Sequence, residues 1–260
     1  MSAPVLPSPI DPAFISRLDD DFIEYYNKNL AIKPATHNIT IEHIRAAPEK
    51  FASPWYRDFT YEPFVKDIRL KAEDGHEFTA VENGKELNGR PDSISIGGIS
   101  AGGHISAVCQ QLARDAKIDL KLATYKGDDI NEPSDSPYPS VSENENAPCL
   151  NWKRLKFFRS LYDAKTDAER AEITARPICF RSPLDGNLNG VCRTYVATAD
   201  CDPLRDEGED YARKLNENGV QVTVRRYTGV PHPFMHMLVV KKAQMYMDDI
   251  CAHLRMAHGA

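Results

Sequence analysis

Gly97-Gly98-Ile99-Ser100-Ala101-Gly102-Gly103 follows a short β-type run, Ser93 to Ile96, and opens a stretch with helical periodicity. Ile105, Val108, Cys109, Leu112 and Ala116 recur at the spacing of one helix face. Residues 98–102 match G-x-S-x-G in the strand–turn–helix setting that gives the pattern its meaning. Glycines on both sides of Ser100 let strand and helix approach closely, and the serine sits on a turn with strained backbone angles. Its hydroxyl is then held at the carboxyl end of a strand, near the positive end of the following helix. The backbone N–H of Ala101, joined by that of Gly102, points to where a carbonyl oxygen would become an anion. The competing reading is a dinucleotide-binding turn, but G-x-G-x-x-G is not matched.

Downstream, Asp119 to Tyr125 and the apolar run Val191 to Ala199 read as strands, the second of a kind buried on both faces. Asp206 to Asn218 reads as a helix closed by Gly219. Val220 to Arg225 alternates as a last strand, and the stripe Val239, Ala243, Tyr246, Ile250, Leu254 marks a terminal helix. Upstream, Val65 to Leu70 and Glu77 to Val81 form a predicted antiparallel pair around Glu73-Asp74-Gly75. Asp11 to Leu30 reads as one helix with Phe14, Leu18, Phe22 and Tyr25 as its stripe, and Ile39 to Ala47 as a short second one. Gly127 to Pro148, acidic and rich in Ser, Asn and Pro, reads as a long surface loop. Helices follow over Asn151 to Ala164, with Trp152, Leu155, Phe158 and Tyr162 inward, and over Asp167 to Ala175. Strands alternating with helices after residue 90 imply an α/β protein with a mostly parallel central sheet and helices on both faces. Ligands in such sheets sit beyond the carboxyl ends of the strands.

A serine hydroxyl is a poor nucleophile at neutral pH and needs a base, ordinarily a histidine oriented by a carboxylate. His232 lies in the loop Gly229-Val230-Pro231-His232-Pro233-Phe234, just past the last strand. Asp202 lies just past the strand before it. Both thus fall at the strand ends where Ser100 sits. Asp200 competes as the acid, Asp206 reads as the start of the next helix, and His236 as an exposed residue at the start of the terminal helix. His104 follows the elbow on its helix, where it is placed to line the site, with a packing or surface role as the plainer reading.

Gly98-Ile99-Ser100-Ala101-Gly102-Gly103-His104 resembles the nucleophile elbow of the hormone-sensitive-lipase-like carboxylesterases, the fold-3 group of α/β hydrolases. Asp202-Pro203-Leu204-Arg205-Asp206-Glu207-Gly208 is similar to that family's acid motif, and residues 229–234 to its histidine loop, with Pro233 where glycine is usual. The resemblance implies a Ser100–His232–Asp202 triad acting on a small-molecule ester through an acyl-enzyme, with no cofactor and no metal. It prefers Asp202 to Asp200. It also implies an α/β-hydrolase domain over residues 61–260, an N-terminal helical cap over 1–60, and a lid contribution from 127–175. The family's His-Gly-Gly-Gly motif, which supplies the rest of the oxyanion hole, has no counterpart: the first glycine is Gly75, and His-Gly-Gly does not occur. Six strands are predicted where the family sheet has eight. An internal truncation near 79–82, real or introduced in the gene model, accounts for both gaps. An alternative function is then a catalytically impaired pseudoenzyme or small-molecule binder on the same scaffold.

Bulk properties narrow the rest. At 260 residues the chain can bury one sizeable core. Its net charge of −6 argues against a nucleic-acid or anionic-membrane partner. No apolar run reaches the length of a membrane span, and residues 1–10 carry no signal-peptide pattern, so a cytoplasmic location is expected. The six cysteines contain no CxxC pair and are read as free thiols. Assembly as a homodimer stays open.

Overall fold

The computed structural model describes residues 8–50, 66–71, 77–82, 93–117, 132–163 and 165–259. Its elements run α1 (Pro12–Ile15), α2 (Asp20–Asn29), α3 (Ile41–Ala46), β1 (Lys66–Lys71), β2 (Glu77–Glu82), α4 (Ala101–Asp115), α5 (Pro139–Glu143), α6 (Trp152–Tyr162), α7 (Asp167–Ala175), β3 (Thr194–Cys201), α8 (Arg205–Glu217), β4 (Val222–Pro231) and α9 (Lys241–His258).

β1 and β2 pair antiparallel from Lys66↔Glu82 to Lys71↔Glu77, as the hairpin reading expects; the turn between them lies outside the described residues. The expected strand 93–96 survives as a single bridge at Ile94, and the one at 119–125 lies outside the described residues. β3 and β4 form the parallel pair, with α8 as the crossover, in register from Thr194↔Val222 to Ala199↔Tyr227. The register then shifts, and Cys201 pairs with Pro231. Two residues of β3 are thus matched by four of β4, an irregularity that holds Gly229 at φ +75°. An added Cβ at Gly229 would overlap the Asp19 carboxylate.

The expected helix 11–30 is two helices. Asp19 breaks it, because its N–H donates to Gly229 O at 2.8 Å and its extended backbone caps α2 instead of continuing α1. A tertiary bond outweighs the local helical pattern here, yet the stripe keeps its destination. Phe14, Leu18, Phe22 and Tyr25 are buried with Tyr227, Val230, Phe234, Met237 and Val240 in the main core cluster. A smaller cluster joins Ala107 of α4 to Leu184, Leu188, Tyr211, Leu215 and Val220.

Three further expectations are corrected. The buried face of α4 carries Ala107, Gln110 and Gln111, while Ile105 is 59% exposed and Leu112 37%. Polar contacts decide that face: Gln111 Nε2 donates to Pro183 O at 2.9 Å, and Gln110 Nε2 to Tyr211 Oη. Within the segment read as loop, residues 139–143 are helical, and Ser140, Val141 and Asn144 are buried. It is held by hydrogen bonds, with Ser140 N–H donating to Asp206 Oδ2 at 2.7 Å and Ser140 Oγ to Pro203 O at 2.9 Å. A pattern search for apolar periodicity does not register burial of this kind. In α6, Trp152 is buried but Phe158 is exposed, because that stripe faces a cavity rather than the core.

Candidate active site

Ser100 has φ 60° and ψ −125°, the sparsely populated backbone region expected of a nucleophile elbow. The fold sustains it through close approach of the segment before the elbow and α4: an added Cβ at Gly98 would overlap the backbone carbonyl of Gly102. A Cβ at Gly102 meets no described atom within 4 Å. The two glycines of the motif are therefore unequal. Gly98→Ala is expected to cost about 3 kcal/mol by overpacking, whereas Gly102→Ala changes stability by under about 1 kcal/mol. Urea denaturation of both variants checks this, and equal losses would contradict it.

The Ala101 N–H has no hydrogen-bond partner among the described residues and is free to meet a developing oxyanion. Gly102 is a correction. Its N–H donates to Ile99 O at 3.0 Å, closing the turn, so it is already committed. One elbow donor remains where two were expected.

The register shift places the other two candidates. Asp202 follows Cys201 and His232 follows Pro231, and those preceding residues are paired across the sheet. His232 Nδ1–H accordingly donates to Asp202 Oδ2 at 2.8 Å, with the side chains only 12% and 9% exposed. Asp202 Oδ1 accepts from Leu204 N–H at 3.0 Å, and Asn144 Nδ2 donates to the Asp202 carbonyl at 3.2 Å. The carboxylate is thereby oriented by the acid turn, and its backbone is held by the cap residue of α5.

Asp200 is engaged elsewhere, 3.7 Å from Arg205 Nη1. Asp206 is also an Arg205 partner, at 2.7 Å. His236 sits in the short turn Phe234–His236, ahead of a terminal helix that starts only at Lys241. His236 is exposed, as expected.

Ser100, Asp202 and His232 line one small cavity of about 60 Å³, together with Tyr195 and Met235. No hydrogen bond joins Ser100 Oγ to the His232 ring; catalytic hydrogen bonds of this kind often tighten only in the complex with substrate. Ser100 and Ala101 also lie on the wall of a larger cavity of about 1410 Å³. Its other walls include Ile105, Leu150, Trp152, Leu155 and Phe158. His104 lines it too, its ring nitrogen 2.9 Å from Phe180 O, a placement that sequence reading underweighted. No residue of α1–α3 lines this cavity, although the turn Thr36–Asn38 packs against α6.

Competing nucleophiles are weak. Burial pushes the Cys201 thiol up to about 11 and the Cys149 thiol up to about 12, so neither forms thiolate near neutrality. Among the described residues no cluster of His, Cys, Asp or Glu has a metal-binding arrangement, and no helix is long and apolar enough to cross a membrane.

Known proteins share this arrangement of sequence. A family profile for the α/β-hydrolase fold matches residues 68–236. The chain is 34% identical over 165 residues to carboxylesterase NlhH of Mycobacterium tuberculosis, covering 62% of this chain and 50% of that protein. It is 31% identical over 161 residues to carboxylic ester hydrolase LipN of the same organism, covering 58% and 40%. The chain thus spans about half the length of the curated relatives it matches. A Pyrobaculum calidifontis esterase structure superposes with a TM-score of 0.71 at 20% identity, over 93% of this chain and 99% of that one, a likeness of fold alone. With a profile match over most of its length and relatives named as carboxylesterases, the chain belongs to the α/β-hydrolase fold family, in its hormone-sensitive-lipase-like fold-3 group.

Proposed function

We propose that this carboxylesterase-like chain hydrolyses carboxylic esters through Ser100, His232 and Asp202. The observation that carries the reading is the pairing of a strained Ser100 with a hydrogen-bonded His232–Asp202 couple on one cavity wall. Ser100 Oγ attacks the ester carbonyl carbon while His232 Nε2 takes its proton. The carbonyl π electrons move to oxygen, where Ala101 N–H stabilises the charge. The tetrahedral adduct collapses, the alcohol leaves with the proton from His232, and an acyl-Ser100 remains. Water, deprotonated by His232, then releases the acid and restores Ser100. Asp202 holds the Nδ1–H tautomer and stabilises the imidazolium.

On this reading the segment 127–175 contributes to the lid. α1 and α2 brace the strand end that carries His232, and the N-terminal segment reaches the lid through Thr36–Asn38. A fluorophosphonate probe is expected to label the wild-type protein at Ser100 and to leave Ser100→Ala unlabelled. Equal labelling of both proteins rejects the assignment.

The second reading, a catalytically impaired relative, is favoured by one observation: the elbow offers only Ala101 N–H, since Gly102 N–H is bonded to Ile99 O. Loss of one oxyanion donor costs about 10² to 10³ in turnover. We read the chain as internally shortened near 79–82, in keeping with the missing His-Gly-Gly-Gly motif and the exposed Ile105 and Leu112 on α4. A transcript carrying several tens of additional codons near Thr79 would place the loss in the gene model, and one without them would place it in the protein. Turnover of short-chain aryl esters, compared with Ser100→Ala, separates an active enzyme from an idle one.

A further inference from the structure

The larger cavity beside Ser100 has walls of mixed character. Ile105, Trp152, Leu155 and Phe158 contribute apolar surface, Asp163, Asp185 and Glu207 carboxylates, and Lys156, Arg159, Arg170 and Arg181 four cations. Two of these are neutralised: Arg159 lies 3.5 Å from Asp163, and Lys156 lies 3.5 Å from Glu132. Asp185, an acid on the same wall, lies 3.3 Å from Lys214. Arg170, on α7, and Arg181, just after the turn Ile178–Phe180, are exposed and have no hydrogen-bond or ion-pair partner for their guanidinium groups among the described residues.

A single exposed arginine is ordinarily no more than a solvated side chain. Two unpartnered guanidiniums from separate segments, on the wall of the cavity that holds Ser100, are a different arrangement. Scarcity of carboxylates does not explain them, since Asp and Glu outnumber Lys and Arg by 38 to 32. Charges of one sign left unneutralised on a cleft with apolar walls focus a field that attracts the opposite charge. A planar, delocalised anion supplies that charge, and carboxylate is the group that guanidinium matches in two-point geometry.

We propose that the substrate is an ester bearing a free carboxylate remote from the scissile bond, such as a monoester of a dicarboxylic acid, with Arg170 and Arg181 taking that carboxylate. The proposal rests on the ester-hydrolase reading and names the substrate class of that same site. The apolar residues of α6 then take the hydrocarbon between the two ends. The anion is drawn in locally against the net negative charge of the whole chain, so its binding weakens as salt rises.

The test compares 4-nitrophenyl hemiglutarate with 4-nitrophenyl butyrate, which share the acyl chain and differ by the terminal carboxylate. The Ser100→Ala protein is expected to bind the hemiglutarate at least about tenfold more tightly, by calorimetry at low salt, as charge-assisted hydrogen bonds predict. The preference should fall several-fold in Arg170→Gln and in Arg181→Gln, and to near unity in the double variant. The kcat/KM ratio of the two esters on Ser100-containing protein should follow the same order. No preference in the parent protein, or a preference that survives the double substitution, overturns the carboxylate assignment. If hydrolysis of both esters is absent while the binding preference persists, the hydrolase reading fails and the anion site stands. If butyrate is turned over but no preference exists, the reverse holds.

Discussion

Asp202→Asn is expected to lower ester turnover by about 10⁴-fold while leaving the fold intact. The carboxylate accepts the His232 Nδ1–H on one oxygen and the Leu204 N–H on the other. An asparagine can keep its carbonyl on the Leu204 N–H, but its NH2 then faces His232. The ring responds by presenting bare Nδ1 to the amide and Nε2–H to the serine. That tautomer donates where a base is needed, so proton transfer from Ser100 stalls. The control is Asp200→Asn, two residues away. Asp200 faces Arg205 at 3.7 Å and makes no contact with His232, so turnover in that variant should stay within a few-fold of wild type. Aryl-ester kinetics on the two variants give the comparison directly. Equal losses would return Asp200 to contention as the orienting acid.

Arg205→Met is expected to cost about 3 to 5 kcal/mol of stability and to lower Tm by about 10 °C. Arg205 is 8% exposed and serves three acids at once: Asp206 at 2.7 Å, Glu143 at 2.8 Å and Asp200 at 3.7 Å. It also donates to the Asp200 carbonyl at 3.1 Å. Burial opposes its charge, but the hydrogen bonds to Asp206 and Glu143 more than compensate and raise its pKa. Methionine fills the volume and leaves these acceptors without a cation, which is the costly way to break a buried ion pair.

The same residue sets a pH dependence. Burial works to raise the Asp206 carboxyl, but its bonds from Arg205 and from Ser140 N–H prevail and hold it below its ordinary 3.8. A carboxyl depressed by folding adds stability above its unfolded pKa. That stability is lost as pH falls through the lower, folded value. The gap between wild type and Arg205→Met should therefore narrow on acidification from pH 7 to pH 3, as followed by urea denaturation. A gap that is constant across that range would show that Asp206 ionisation contributes nothing.

How much of this was legible beforehand depends on how local each cause is. The buried fate of Phe14, Leu18, Phe22 and Tyr25 followed from spacing alone, even though their helix is broken at Asp19. The break was invisible because its cause, the carbonyl of Gly229, lies far along the chain. Burial of α5 was missed for a related reason: Ser140 and Asn144 are anchored by hydrogen bonds to residues 202–206, and composition reports only that the segment is polar. The inward face of α4 was misassigned because Gln110 and Gln111 hold buried partners that an apolar stripe does not reveal.

By itself the sequence determined the elbow, because the strain at Ser100 and the room it needs are set by five contiguous residues whose sterics act over a few ångströms. It also placed His232 and two competing carboxylates, Asp200 and Asp202, near two strand ends. Only the tertiary structure decided which carboxylate meets the imidazole, since two extra residues of β4 opposite Cys201 bring His232 alongside Asp202 and leave Asp200 to Arg205. Strand register is a long-range property, fixed by cross-chain hydrogen bonds and core packing. The commitment of Gly102 N–H to Ile99 O and the pair of unpartnered arginines on the cavity wall likewise emerge only when the folded backbone brings distant groups into one space.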